Sequence, residues 1–270
     1  MKNITEAPFL QDIMRIIANM YRLGWDERNS GNISLLLDEN ETGEYLVTGG
    51  VNRTFPLDFD AQALAGKFFL VTGTGKYFKN VQYNPQENLG IVRISADGKS
   101  ARLLWGFSGG ADPTSEFSVH LMCHIARLGV NPENRIIMHA HPANLIAMSF
   151  VHSIDEKEFT RTLWQLCIEG IMVFPEGIAV LPWMLCGTNE IAQATAKKME
   201  DFRLVVWSGH GIFGAGNSID EAFGLIETAE KAAEIHIKTM HMPRHNIPSD
   251  SQIAALAEKW NVNYRRDWLR

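Results

Sequence analysis

"RIIMHAHPANLIAM" (residues 135–148) finishes an apolar run with two histidines and a proline. The run Ile136-Ile137-Met138 reads as a buried strand. Residues i and i+2 of a strand point to one face, so His139 and His141 project together while Ala140 faces away. Pro142 stops the strand just past them, where a pocket would open. Two readings follow: histidines at the edge of a core that found hydrogen-bond partners, or half of a metal site. Spacing alone leaves both standing.

Upstream of that strand, residues 6–23 repeat apolar positions at Ile13, Ile16, Ile17 and Met20, which predicts a helix capped by Gly24. "NSGNISLLLD" turns through Gly31 into a strand, and "KFFLVTGTGKYF" is a strand ending in a glycine-bracketed turn. The polar stretch 39–66 between them reads as an irregular excursion. "LGIVRISADGKSARLLWG" is a β-hairpin about Asp97-Gly98. "DPTSEFSVHLMCHIARLG" starts a helix with Pro113 in its first turn and stops at Gly129.

Downstream, the pattern predicts helices near 144–151 and 156–166 and strands near 171–174 and 178–181. A helix in "TNEIAQATAKKMED" then feeds the strand "LVVW". "SIDEAFGLIETAEKAAEIHIKTM" is a long helix opened by a capping box from Ser218 to Glu221, and a last helix opens the same way from Ser249 to Gln252. Hairpins combined with helix-linked strands predict an α/β protein with a mixed sheet flanked by helices. Without internal repeats or a linker, residues 1–270 read as one domain. It ends in a C-terminal helix and tail at 249–270, where Tyr264 reads as exposed among charges.

Apolar residues make up 46% of the 270 and charged residues 21%, enough for a substantial core. The net charge of −6, with Arg265, Arg266 and Arg270 as the only basic cluster, argues against a nucleic-acid partner. Cys123, Cys167 and Cys186 are odd in number and far apart. They exclude a full disulfide framework and a cysteine zinc site and favour a reducing compartment. Glu6, Asp12 and Arg15 interrupt what a signal peptide would keep apolar. No run approaches the roughly 18 apolar residues of a membrane span. A soluble cytoplasmic protein is expected.

A third histidine, His210 in "LVVWSGHGIFGAG", also lies just past an apolar strand. Gly209 and Gly211 beside it let the backbone turn sharply next to a ligand. Three histidines with a vacant position is the composition of a catalytic zinc site. His120 and His124, at i and i+4 on the "PTSEFSVHLMCHIAR" helix, could also chelate. Apolar Val119, Leu121, Met122 and Ile125 surround them, so they read as packing or supporting residues. His152, His236, His241 and His245 have no partner spacing and read as surface or helix-face residues.

Glu116 falls at the start of that helix, where free N–H groups and the dipole favour anions. It reads either as a dipole-complementing acid or as a general base beside hydroxyls that hold a substrate anion. "RNSGNIS" (28–34) and "VTGTGKYF" (71–78) present small side chains and exposed N–H groups. Neither is a Walker A loop or a dinucleotide fingerprint. With Thr114 and Ser115, residues Asn29, Asn32 and Thr74 would make a phosphate nest.

"NSGNIS", "VTGTGKYF", "PTSE", "HAHPANLIA", "FPEGIAVLPW" and "GHGIFGAG" occur in that order over residues 29–216. In this combination the chain resembles the class II aldolase family of zinc-dependent sugar-phosphate lyases, over nearly its whole length. The resemblance implies one Zn²⁺ per subunit held by His139, His141 and His210. It implies a phosphate pocket of Asn29, Asn32, Thr74, Thr114 and Ser115, with Thr74 keeping the hydroxyl where relatives usually carry serine. It implies Glu116 as the catalytic carboxylate and Glu169 as a second acid supplied to a neighbouring subunit. The implied fold is a single α/β domain with a largely antiparallel central sheet flanked by helices. The implied assembly is a cyclic homotetramer with active sites near its interfaces.

The chemistry fits those residue types. Aldol cleavage of a ketose 1-phosphate leaves negative charge on the dihydroxyacetone phosphate fragment, which a Lewis acid stabilises. A base is needed for the C4 hydroxyl and an acid for the new carbanion carbon, with roles exchanged in synthesis. Other aldolases or an epimerase of the same family would use the same pockets. A metal-dependent hydrolase is disfavoured because no Asp-His pair follows the His-x-His. A non-enzymatic interaction module is disfavoured because the three histidines and Glu116 are all present.

Overall fold

Nine strands form one sheet in the computed structural model, which describes residues 2–45 and 53–269. They are β1 (Asn32–Leu37), β2 (Thr54–Pro56), β3 (Phe68–Thr72), β4 (Leu89–Ile94), β5 (Ser100–Gly106), β6 (Ile136–Ala140), β7 (Ala179–Leu181), β8 (Leu204–Trp207) and β9 (Gly211–Gly216). Their order across the sheet is β2-β5-β4-β3-β1-β6-β9-β8-β7, antiparallel throughout except where β7 meets β8. The helices that cover it are α1 (Pro8–Leu23), α2 (Phe117–Val130), α3 (Ala143–Val151), α4 (Glu156–Leu166), α5 (Asn189–Met199), α6 (Ile219–Thr239) and α7 (Asp250–Lys259). The result is a single α/β domain with a mostly antiparallel sheet.

Period-two alternation in β1 sorts the two faces. Ile33, Leu35 and Leu37 join Leu10, Ile13 and Ile17 of α1 and Ala229 and Ala233 of α6 in the larger core. Each such aliphatic chain contributes about 1.5–3 kcal/mol by leaving water. Asn32 and Ser34 point the other way, under α2, beside a second core of Phe69, Val71, Phe117 and Leu121. Helix α1 stops where expected: Gly24 takes φ 73°, and its N–H bonds the Tyr21 carbonyl at 3.0 Å.

Several local expectations needed correction. Pro113 does not begin a helix. It bridges to Gly73, the Thr114 N–H donates to the Thr72 carbonyl, and α2 starts only at Phe117 with Glu116 at its N-cap. Residues 171–174 are not a strand: 171–173 belong to one helical turn, Gly170–Val173, which Phe174 ends, and the absent Cβ of Gly170 makes room for the Phe174 and Trp164 rings. A short apolar run carries too little period to decide this. The 39–66 excursion holds a helical turn (Glu39–Thr42) capped by Asp38, the edge strand β2 and a 3₁₀ turn (Gln62–Leu64); residues 46–52 lie outside the described ones.

Ser218 caps α6 by accepting from the Glu221 N–H, but Glu221 reaches one residue further back, to the Asn217 N–H at 2.7 Å. It does so while also pairing with Arg203. His152 and His236 do find each other, with ring centroids 5.4 Å apart. Tyr264 is buried, as are Trp268 and Leu269. The tail docks because Arg265 stacks over both Phe202 and Trp268. Among the described residues, no helix is long and apolar enough to cross a membrane.

Candidate active site

The register Asn32↔His139 and Ser34↔Ile137 puts Asn32, Ser34 and His139 on one face of adjacent strands. His139 is fully buried and stacks on Phe213 of β9 at 4.3 Å. His141 follows one residue beyond β6 and His210 sits in the β8–β9 turn, where Gly209 takes φ 71°. A Cβ on Gly211 would lie 2.5 Å from the Ala140 carbonyl oxygen and 2.8 Å from the His141 ring. Only glycine lets the hairpin bring His210 this close. One ligand nitrogen from each of the three imidazoles falls within 4.8 Å of the others.

The protonation pattern tests whether the site fits a cation. His139 Nδ1–H donates to the Ile212 carbonyl at 3.0 Å, and His141 Nδ1–H donates to Glu27 Oε1 at 2.8 Å. Both Nε2 atoms therefore carry lone pairs, and they face each other at 3.1 Å. Two lone pairs cannot share that space without a proton or a metal ion between them. Burial holds His139 well below the usual histidine range and His210 down at about 4, so these two rings stay neutral near neutral pH. Two imidazoles whose Nδ1 atoms are tied to acceptors, turning Nε2 inward beside a third ring, are what a transition metal requires. The three residues fit a divalent metal, with an open face.

Glu116 completes this wall. Its carboxylate lies 3.7 Å from His139 Nε2 and accepts from Asn32 Nδ2 at 2.8 Å. Burial raises its pKa to about 7, against the pull of the Asn32 bond. The carboxylate can hold or release a proton near neutrality.

The loops expected to form the phosphate nest are brought together by main-chain bonds. Besides the Gly73–Pro113 bridge and Thr114 N–H to Thr72, the Thr74 N–H donates to the Asp112 carbonyl at 2.9 Å. Gly31 lies against the Phe78 ring, joining the 28–34 loop to the 71–78 loop. Arg28 takes φ 65° there, a conformation costing a side-chain-bearing residue on the order of 1 kcal/mol. Asn29, Thr74 and Ser115 are exposed on these loops and Thr114 is buried. Asn32 is buried with its amide committed to Glu116 and, at 3.4 Å, to the Ser30 carbonyl. Glu169 stands apart: it is exposed at the N-cap of the Gly170–Val173 turn, and its recorded side-chain contact is with Cys167 Sγ at 3.8 Å.

Sequence reasoning missed Glu27, which orients His141, and Glu230, which accepts from the Asn144 and Leu145 N–H groups and so caps α3 where Pro142 offers no side-chain cap. Glu27 immediately precedes the quoted 28–34 glycine loop, but its partner is 114 residues away.

A sheet-end histidine triad with a buried carboxylate beside it has the make-up of a metal-dependent enzyme's site. Residues 11–237 match the family described as Class II Aldolase and Adducin N-terminal domain, and the chain belongs to that family. It is 54% identical over 271 residues to the rhamnulose-1-phosphate aldolase of Listeria monocytogenes, covering 99% of this chain and 98% of that one. The enzyme of that name from Enterococcus faecalis is 53% identical over 99% of this chain and 96% of its own, and that from Escherichia fergusonii 43% over 97% of each. The sugar-phosphate aldolase of Thermotoga maritima superposes with a TM-score of 0.74 at 30% identity, covering 87% of this chain and 96% of that one.

Proposed function

We infer that this chain is a rhamnulose-1-phosphate aldolase, a class II lyase that reversibly cleaves L-rhamnulose 1-phosphate to dihydroxyacetone phosphate and L-lactaldehyde. The observation that carries the reading is the pair of opposed Nε2 lone pairs beside a buried carboxylate, in a chain 54% identical to enzymes of that name.

Cleavage of the C3–C4 bond leaves negative charge on the three-carbon phosphate fragment. A Zn²⁺ ion held by His139, His141 and His210, one per subunit, would supply Lewis-acid stabilisation of that charge. Glu116, beside His139, delivers a proton to C3 after cleavage and removes it in synthesis. The loop hydroxyls and amides of Asn29, Thr74, Thr114 and Ser115 hold the phosphate and fix the reacting carbons relative to Glu116. Asn32 contributes by orienting Glu116, its amide being spent there.

Glu169, exposed and unattached to its own site, serves the aldehyde side of a neighbouring subunit's site in a cyclic homotetramer. Exposed Phe150, whose ring covers Gly209 next to His210, and exposed Val151 and Trp183 support a subunit contact at this end of the sheet. The three free cysteines support a reducing, cytoplasmic location, and the likeness to rhamnulose-1-phosphate aldolases supports a role in rhamnose degradation.

The test follows release of dihydroxyacetone phosphate from L-rhamnulose 1-phosphate and L-fuculose 1-phosphate, with and without a strong chelator. The rhamnulose ester should be preferred, and chelation should abolish turnover until zinc is restored. Preference for the fuculose ester would overturn the substrate, and full activity in chelator would overturn the metal.

A further inference from the structure

Beneath α2 the buried polar groups form a continuous series. Ser34 Oγ lies 2.8 Å from His124 Nε2 and 2.7 Å from His120 Nδ1. His120 Nε2 meets Asn32 Oδ1, and Asn32 Nδ2 meets Glu116 at 2.8 Å. Ser34, His120 and His124 are completely shielded from water. Burial holds both rings at about 3, so they are neutral, and each has one N–H and one lone pair.

Neutral rings make the direction of every bond decidable. Asn32 Nδ2 faces two acceptors, Glu116 and the Ser30 carbonyl, so the amide cannot flip without setting oxygen against oxygen. Asn32 Oδ1 is then the acceptor, which requires His120 to carry its proton on Nε2. His120 Nδ1 becomes an acceptor and takes the one hydroxyl proton of Ser34. Ser34 Oγ must then accept from His124 Nε2–H. What remains is His124 Nδ1, which is buried without a partner. In this direction it is a bare lone pair, whereas the reverse direction would bury an orphan N–H, the rarer defect.

We propose that Ser34, His120 and His124 form a one-way hydrogen-bond chain that locks Asn32 as a donor to Glu116, making all three positioning residues for that carboxylate. The proposal rests on the reading of Glu116 as the proton-transfer group. Asparagine cannot pass a proton along, so the chain conducts nothing; it fixes where one carboxylate oxygen points. Each donor polarises the next, and the last bond, to a charged acceptor, gains most.

Solid-state nitrogen NMR of the holoenzyme with labelled histidine tests the direction, the two rings being assigned from the signals lost in His120→Gln and His124→Gln. Both should be Nε2–H tautomers; an Nδ1–H tautomer or a charged ring at either position overturns the chain. Ser34→Ala, which cuts it, should lower kcat about 10-fold, the lower end for residues supporting a site, with KM and bound zinc unchanged. An unchanged kcat in a folded Ser34→Ala enzyme would also overturn it. If Glu116→Gln kept full activity, the catalytic reading would fail while the tautomer result still decided the chain.

Discussion

The two faces of β1 bury side chains by different rules. Ile33, Leu35 and Leu37 pack into the apolar core, and their attraction has no direction. Asn32 and Ser34, on the opposite face, each meet two or more polar partners, and every contact has a required donor. Volume-conserving changes on the first face cost typically under about 1.5 kcal/mol. On the second, one missing donor leaves a buried group unsatisfied, at about 1–3 kcal/mol. The apolar face holds the fold together, and the polar face sets the orientation of one carboxylate.

Three substitutions test that division. Glu116→Gln should have the largest effect, lowering kcat by about 10³-fold, within the range for a lost acid–base group and equivalent to about 4 kcal/mol. Steady-state kinetics and metal analysis would show cleavage nearly gone with zinc retained. Near-normal turnover would mean the polar face serves stability alone. Ile33→Ala, one residue from Asn32 but on the other face, should cost about 3 kcal/mol in urea unfolding while kcat of the folded enzyme stays unchanged. A large kcat loss there would erase the distinction.

The smallest effect concerns Asp26, a buried carboxyl whose oxygens make no well-formed hydrogen bond and feel only a weak pull from the Phe78 backbone N–H, in contrast to the closely bonded chain beneath α2. Burial, helped by neighbouring Glu27, raises its pKa to about 7. A raised carboxyl binds its proton more tightly when folded, so its contribution is complete below its ordinary value near 4. That contribution is lost as pH rises through about 7. Asp26→Asn should therefore match the parent at pH 4 and exceed it at pH 8, by roughly 1–2 kcal/mol after discounting for nearby water. Parallel stability-against-pH curves for the two proteins would show that Asp26 has a partner after all.

Features written in adjacent residues were legible in the sequence. The Asp97-Gly98 hairpin, helix α4, and the projection of His139 and His141 to one side all follow from local period and turn chemistry. The glycines beside His210 signalled a close approach, and the Gly211 contacts give its reason. Groups joined only by sheet register were not legible. Nothing near Ser34 announces His120, 86 residues away, and nothing near Glu27 announces His141. Pro113 resembled a helix start because a bridge to Gly73, 40 positions earlier in the chain, leaves no local trace. The tail looked solvated because alternating charges hide the aromatic rings on which Arg265 stacks.

The 71–78 and 112–115 loops are stapled through backbone atoms, from the Gly73–Pro113 bridge to the Thr74 and Thr114 N–H bonds. Such staples do not depend on which side chains the loops display. Positions 74 and 115 are both exposed, so their side chains can be exchanged over evolutionary time without redrawing the cradle. A lineage could change the side chains these two loops display by drift at two surface positions, leaving the buried wall of His139 and Glu116 untouched.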